Sequence, residues 1–330
     1  MGRWKIPERE PISTSNARME ELYSSMESHI TNQHVVSRAV LKEFAAPAPD
    51  GRGWKLIPYD VKLLKHKRPL GLKGCGKILD FLVIATTSAE QMWAEVERDI
   101  PAMIAAARAG TLHQNSKLLS VARDCLALHL VRSPRYMAAH AEAVRKTLDG
   151  FRDFAIDKWR ERLTKAYIAK HSGLLPAGRE SLGTLVDPVI DNWQQLDSSG
   201  LMARADIEFM FRRVRDTFAP VDVQIWHAPA GEEFLISDSP CLTLRYNDDG
   251  TEVEPHVAIG DSHTVAMPIA KDCYLALGDT SKDDVFVSSN VRLFNQLQMR
   301  SAFGHLYYRP GSNITRSVDA FFSNSVRSAR

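Results

Sequence analysis

The sequence predicts an α+β protein in which a central helical bundle packs against a mainly antiparallel sheet from the C-terminal third. Two observations lead to this prediction. Residues 88–219 contain long stretches in which apolar residues recur at helical spacing, whereas residues 220–310 contain short alternating stretches separated by turn residues. Because the short stretches follow one another with almost no intervening helix, we expect their strands to pair antiparallel.

Length and composition are those of an ordinary globular protein. The chain has 330 residues, of which 44% are hydrophobic and 25% are charged, and its formal net charge is +2. A dedicated nucleic-acid-binding protein is usually strongly basic, so an anionic partner would have to be held by a local basic patch. We expect one domain over residues 1–330. Its predicted parts are an N-terminal extension (1–30), a mixed region with the histidine segment (31–87), a helical region (88–219), a β-rich region (220–310) and a polar tail (311–330).

Nothing in the sequence predicts export or membrane insertion. The first residues lack the apolar core of a signal peptide, and no stretch approaches the roughly 20 apolar residues of a membrane-spanning helix. The four cysteines are scattered and form no Cys-x-x-Cys pair, which favours buried, reduced thiols. We therefore expect a cytoplasmic protein with no membrane partner.

The N-terminal part predicts a mixture of short elements. A helix is expected over residues 16–30. Apolar residues between Val36 and Phe44 have helical spacing and predict a second, short helix. Prolines and glycines at 47–53 predict a loop, and Trp54–Tyr59 follows as a strand whose Pro58 indicates its end or a sheet edge.

The helical and β-rich regions divide at turn and capping signals. Ser88 and Gln91 form a capping-box pattern, and the Ser133-Pro134 pair should interrupt a helix. The predicted helices cover residues 88–110, 116–131, 134 to about 170, 188–196 and 201–218. The predicted strands cover residues 221–226, 234–237, 241–246, 264–268 and 274–277, and are followed by a helix over 290–301 and a last strand over 306–308.

Three stretches, in this order, resemble a known bacterial family. The first is Asn32-Gln-His34 with a Leu-x-x-Phe end, the second joins Glu97 to Arg132-Ser-Pro-Arg, and the third is Ser-Asp-Ser-Pro around Asp238 with Asn290 and Asn295 beyond it. Together they are similar to the family known as domain of unknown function 4238, over about His34 to Tyr308. The family usually has proline three residues after the histidine, where this chain has Ser37. The resemblance implies an architecture and a set of site residues, but no reaction.

Four residues are candidates for chemistry. His34 can act as acid, base or metal ligand near neutral pH, or it can cap the short helix that follows. Asp238 directly follows an apolar strand, where a carboxylate can serve as base or metal ligand, or can bond backbone amides in a turn. Glu97 and Arg132 lie on the first two central helices, either as a catalytic acid with an anion-binding guanidinium or as a structural ion pair.

Two further features concern ligands. Residues 62–77 form a locally basic loop that could contact phosphates or a nucleic acid; its glycine spacing resembles a phosphate-binding loop, but Ile78 replaces the hydroxyl residue. Metal motifs are missing, so a metal would need ligands such as His34, Glu97 and Asp238 from distant segments. The sequence does not identify a cofactor.

Two functions of different classes remain open. The leading hypothesis is a hydrolase-like enzyme acting on a phosphate ester or nucleic acid, with His34 as acid or base, Asp238 as second carboxylate and Arg132 as the anion-binding group. The alternative is a non-catalytic module in bacterial stress or phage defence that binds a protein or a small ligand. The enzyme predicts that His34, Asp238 and either Glu97 or Arg132 converge in one pocket.

Overall fold

A computed structural model describes residues 32–79, 87–198, 201–247 and 252–328. The α+β class is confirmed, because a helical bundle packs on a mainly antiparallel sheet built from the C-terminal third. The predicted helix over 16–30 and the N-terminal extension lie outside the described residues. Within the described ranges, no helix is both long and apolar enough to cross a membrane.

The helices largely follow the apolar periodicity of the sequence. They are α1 (Arg38–Lys42), α2 (Thr87–Arg108), α3 (Ser116–Val131), α4 (Pro134–Lys158), α5 (Arg160–Lys170), α6 (Arg179–Ser198), α7 (Leu201–Phe218), α8 (Ser288–Ser301) and α9 (Ile314–Ser328). The start of α4 shows why the predicted break occurs. Ser133 caps the helix by accepting a hydrogen bond from the Tyr136 N–H at 3.1 Å, and Pro134 occupies the first turn, where no intrahelical N–H is needed.

The strands are short, and most belong to two six-stranded sheets. They are β1 (Asn32–His34), β2 (Ala46–Pro47), β3 (Trp54–Asp60), β4 (Lys65–His66), β5 (Leu70–Gly71), β6 (Lys77–Leu79), β7 (Asp222–His227), β8 (Ile236–Ser237), β9 (Leu242–Tyr246), β10 (Val253–Pro255), β11 (Thr264–Ala270), β12 (Cys273–Gly278), β13 (Lys282–Val285) and β14 (His305–Tyr308).

Two helix predictions need correction. The helix predicted from 134 to about 170 is divided at Trp159 into α4 and α5. The helix predicted to start at Pro188 begins instead at Arg179, so Pro188 lies inside α6. Leu182 and Val186, which precede this proline, are buried in a small cluster with Ala155 and Ile156 of α4. Their burial offsets the cost of the hydrogen bond that an internal proline removes.

The first sheet has the order β10-β9-β11-β12-β7-β13. Its neighbours pair antiparallel except β13, which runs parallel to β7. Every residue of β11 and β12 is buried, as expected for strands covered on both faces. Helix α3 contacts β7, β11 and β12. The bundle therefore packs on the centre of this sheet.

The second sheet joins segments that are distant in sequence. Its order is β2-β3-β14-β8, with β4 and β5 also paired to β3. In its register, His305 lies opposite Asp60 and Leu306 lies opposite Ser237. The residues around Asp238 are thereby placed beside the N-terminal third of the chain. A separate two-stranded ladder of β1 and β6 puts His34 opposite Lys77.

The predicted polar tail after residue 310 is wrong for most of its length, because helix α9 occupies Ile314–Ser328. Ile314 and Val318 are buried in a cluster that includes Tyr59 and Tyr308 of the second sheet, with Phe321 and Phe322 packed against it. These apolar residues are spaced three or four positions apart and so lie on one helical face.

Candidate functional site

His34 lies at the end of β1, where the backbone is fixed by neighbouring hydrogen bonds. The Val35 N–H donates to the Gly76 carbonyl at 2.8 Å. The imidazole is half-buried, and its Nε2 is buried without a hydrogen-bond partner in the part of the chain that the structure describes. An unpaired buried nitrogen is unfavourable, and such atoms are often satisfied by a ligand or water.

The electrostatic surroundings keep His34 neutral at pH 7. Burial and the positive charges of Lys77, Arg132 and Arg38 together lower the pKa of His34 to about 4, and burial is the largest of these causes. Both effects disfavour a charged imidazolium. A negative group brought to this place would counteract the three cations and raise the pKa of His34 back toward its ordinary value.

Arg132 ends α3, and its side chain is only 5% exposed. Nη1 donates to Glu97 Oε1 at 2.8 Å, and the guanidinium carbon lies 4.5 Å from the centroid of the Trp93 ring. The predicted contact between Glu97 and Arg132 is therefore present. Nε of Arg132 is buried and, among the described residues, has no partner. We call His34, Lys77, Glu97 and Arg132 the His34 cluster.

Asp238 is almost fully buried, and its carboxylate holds the turn before β14. Oδ1 accepts from the Phe303 N–H at 2.8 Å, and Oδ2 accepts from the N–H groups of Gly304 and His305 at 2.7 and 2.9 Å. Burial raises the pKa of Asp238, while these three hydrogen bonds oppose that shift. Both carboxylate oxygens are thus engaged by backbone, in a turn that is remote in sequence and not in the local turn expected from an Asp-x-Pro pattern.

The segment around Asp238 is held by polar side chains of α8. Gln298 Oε1 accepts from both the Ser237 hydroxyl at 2.8 Å and the Ser237 N–H at 3.1 Å, and its Nε2 donates to the Pro240 carbonyl at 2.7 Å. Asn295 bonds the Leu235 N–H and the Glu233 carbonyl. Sequence reasoning missed the role of Gln298, although its place on the apolar face of the helix was a signal.

The Arg132-Ser-Pro-Arg135 junction connects the two groups of candidates. The positive charge of Arg132 lowers the pKa of His34. Arg135 donates to the carbonyls of Arg300 and Ser301 near the Asp238 turn. Burial lowers the pKa of Arg135, and the Asp238 carboxylate opposes this change. The structure thus places Glu97 in contact with Arg132, and Arg132 within electrostatic reach of His34. The carboxylate of Asp238 is bound to the backbone at Phe303–His305.

His129 is a buried histidine that sequence reasoning did not single out. Its Nδ1 donates to the Cys125 carbonyl at 2.8 Å, and its Nε2 accepts from the Ser37 N–H at 3.1 Å. Burial lowers the pKa of His129 to about 4, so the ring is neutral and fully partnered. A proline at position 37, as in the family pattern, would have no N–H to donate. Ser37 has one, and it therefore supplies one hydrogen bond to the bundle.

The sequence suggested two further ligand sites, a metal site and a basic loop over residues 62–77. Among the described residues, no group of three or more His, Cys, Asp or Glu side chains could hold a metal ion, so His34, Glu97 and Asp238 do not form the metal site considered from the sequence. In the basic loop, Lys67 Nζ lies 3.0 Å from Asp60 Oδ2 and 2.8 Å from His305 Nε2. Lys62 Nζ lies 5.0 Å from the centroid of the exposed Phe303 ring.

Comparisons with known proteins give one match. No curated protein and no solved structure matches this chain. A family model described as "Protein of unknown function (DUF4238)" matches residues 32–312. Since this range covers most of the 330 residues, the chain belongs to the DUF4238 family.

Proposed function

We propose that the protein is a hydrolase of phosphate esters, with the His34 cluster as its reacting centre. The observation that supports this most strongly is the half-buried neutral imidazole among three cations, with Nε2 lacking a partner within the described residues. The buried Nε of Arg132, which has no partner among the described residues, suits an anionic group, and a neutral imidazole is the form that can accept a proton.

In this proposal the bound phosphate raises the basicity of His34 by compensating Lys77 and Arg132. A water oxygen then bonds to phosphorus while the imidazole takes a proton from that water. The ester P–O bond breaks with its electron pair on the leaving oxygen, which is protonated by the imidazolium. Glu97 positions Arg132, and Asp238 acts at a distance by holding the turn at Phe303–His305.

The test is hydrolysis of p-nitrophenyl phosphate, bis(p-nitrophenyl) phosphate and a fluorescent single-stranded oligonucleotide by the purified protein. We expect turnover of at least one ester, and we expect His34→Gln to lower kcat/KM by roughly 100-fold or more, the contribution typical of a general acid or base. The matched control is His113→Gln, because His113 pairs with Asp283 outside the cluster. Absence of turnover, or full activity in His34→Gln, contradicts the proposal.

A non-catalytic binding module is the second candidate, and one observation favours it. Arg132 is already paired with Glu97 and is only 5% exposed, an arrangement that also suits a rigid recognition site. This candidate predicts that the non-hydrolysable phosphonate analogue of the ester binds to the wild type and more weakly to His34→Gln, while the ester itself is never cleaved. Turnover that depends on His34 contradicts it.

A further inference from the structure

A groove that contains no residue of the His34 cluster lies between α8 and α9. The α8–α9 groove encloses about 950 Å³. Arg292, Gln296 and Arg300 of α8 form one wall, and Ser317 and Phe321 of α9 lie among the residues of the other. The volume is in the range of pockets that bind small molecules.

The α8 wall carries two arginines without ion pairs. Arg292, Gln296 and Arg300 are spaced four residues apart and are all exposed, so they lie on one face of the helix. The two arginines are about 12 Å apart along the helix axis. Within the described residues, neither guanidinium has a hydrogen bond or an ion pair. Each is available to a ligand in the groove.

The groove keeps an excess of positive charge, because one of its two carboxylates is already paired. Glu233 is engaged, because its Oε1 lies 2.5 Å from Arg309 Nη2 and its Oε2 accepts from the Ser312 hydroxyl at 2.6 Å. Glu232 remains as one carboxylate against the unpaired Arg292 and Arg300. In addition, Nε of Arg309 is buried and, in the described part of the chain, lacks a partner. A third guanidinium donor is therefore also unsatisfied.

We infer that the α8–α9 groove binds a small molecule with at least two phosphate groups. A guanidinium presents paired N–H donors that match phosphate oxygens, and two arginines on one helix face can hold linked phosphates where a single phosphate engages one of them. The side chains of Gln296 and Asn313, which line the groove, offer donors and acceptors to the uncharged part of such a ligand. The inference does not rest on the hydrolase proposal.

Isothermal titration calorimetry at low salt provides the test, with pyrophosphate, ATP and inorganic phosphate as probes. We expect saturable binding of pyrophosphate and ATP at one shared site, and weaker binding of inorganic phosphate. The double substitution Arg292→Gln and Arg300→Gln should weaken pyrophosphate binding by about tenfold or more, since hydrogen bonds to charged groups are lost. Both residues are exposed, so thermal melting should stay unchanged.

A matched control separates this site from the rest of the surface. Arg316→Gln removes an exposed arginine of α9 that does not line the groove. It should bind pyrophosphate as the wild type does. The inference is overturned if neither pyrophosphate nor ATP binds, or if the double variant binds as tightly as the wild type. It is also overturned if Arg316→Gln loses as much affinity as the double variant.

Discussion

At the scale of single residues, the polar side chains divide into those with satisfied partners and those without. Asp238 and His129 are buried and fully bonded to backbone groups. His34 and Arg132 each keep a buried nitrogen without a partner among the described residues. Satisfied buried groups stabilise a fold, whereas unsatisfied ones are unfavourable unless a ligand completes them. This difference, more than residue type, separates the candidates.

The turn that Asp238 holds gives a prediction about stability. Replacing Asp238 with Asn keeps the shape of the side chain but puts an NH₂ group in the place of one carboxylate oxygen. At least one of the three backbone N–H groups then loses its acceptor. We expect the free energy of unfolding to fall by about 1.5–3 kcal/mol, the range for hydrogen bonds to a charged group. Urea denaturation measures this change.

The matched control for Asp238→Asn is Asp149→Asn, which alters an exposed pair with Arg145. Exposed pairs contribute little, so its unfolding midpoint should stay close to that of the wild type. Equal midpoints for Asp238→Asn and the wild type would show that the three hydrogen bonds do not stabilise the turn.

At the scale of elements, the C-terminal helix is the clearest departure from expectation. Helix α9 docks through Ile314 and Val318 onto the second sheet, and it also forms a wall of the α8–α9 groove. Its polar residues outnumber its apolar ones, which made the segment resemble a tail. The periodicity of the few apolar residues carries the information that composition obscures.

Val318 tests the docking of α9. Its side chain is fully buried, and Val318→Ala removes two methyl groups and leaves a cavity. We expect a loss of about 1–3 kcal/mol in the free energy of unfolding. Ser323→Ala, at an exposed position on the same helix, should leave it nearly unchanged. Urea denaturation measures both variants. If both have the free energy of unfolding of the wild type, the docking of α9 onto the second sheet is contradicted.

At the scale of the whole molecule, three histidines share one behaviour. Burial is the main cause that lowers the pKa values of His34, His129 and His256 to about 4, from an ordinary value of 6.5. Their elements are distributed over the bundle, the first ladder and the β-rich region. Folding therefore favours the neutral form of histidine in several parts of the chain at once.

This behaviour predicts acid sensitivity. Since the folded pKa values lie below the unfolded ones, the unfolded chain takes up protons first as the pH falls. Stability is then lost between pH 6.5 and about 4. His129, which is fully buried, should contribute a loss of up to about 3 kcal/mol, while the partly exposed His34 and His256 contribute less because solvent screens their charges.

Urea denaturation at pH 7, 5.5 and 4.5, together with NMR titration of the histidine rings, checks this prediction. The midpoint should fall over this range, and the resonances of these three histidines should not titrate above about pH 5. A midpoint that stays constant down to pH 4.5 contradicts the prediction.

The sequence by itself determined the fold class and most of the longer elements before residue 310. Helix α3 was predicted with its observed bounds, and the strands from β7 to β12 were placed within a few residues, except β10, because apolar periodicity and turn residues are local properties. The Glu97–Arg132 contact followed from two consecutive antiparallel helices. The break between α4 and α5 and the start of α6 were missed, since no strong local signal marks them.

Only the tertiary structure decided what the polar residues do. Asp238 meets the turn at Phe303–His305 because β8 and β14 are adjacent in a sheet whose other strands come from the N-terminal part. His34 acquires its cationic surroundings because β6 brings Lys77 opposite it and the bundle brings Arg132 near it. Contacts of this kind depend on long-range strand pairing and helix packing, which residue spacing along the chain does not encode.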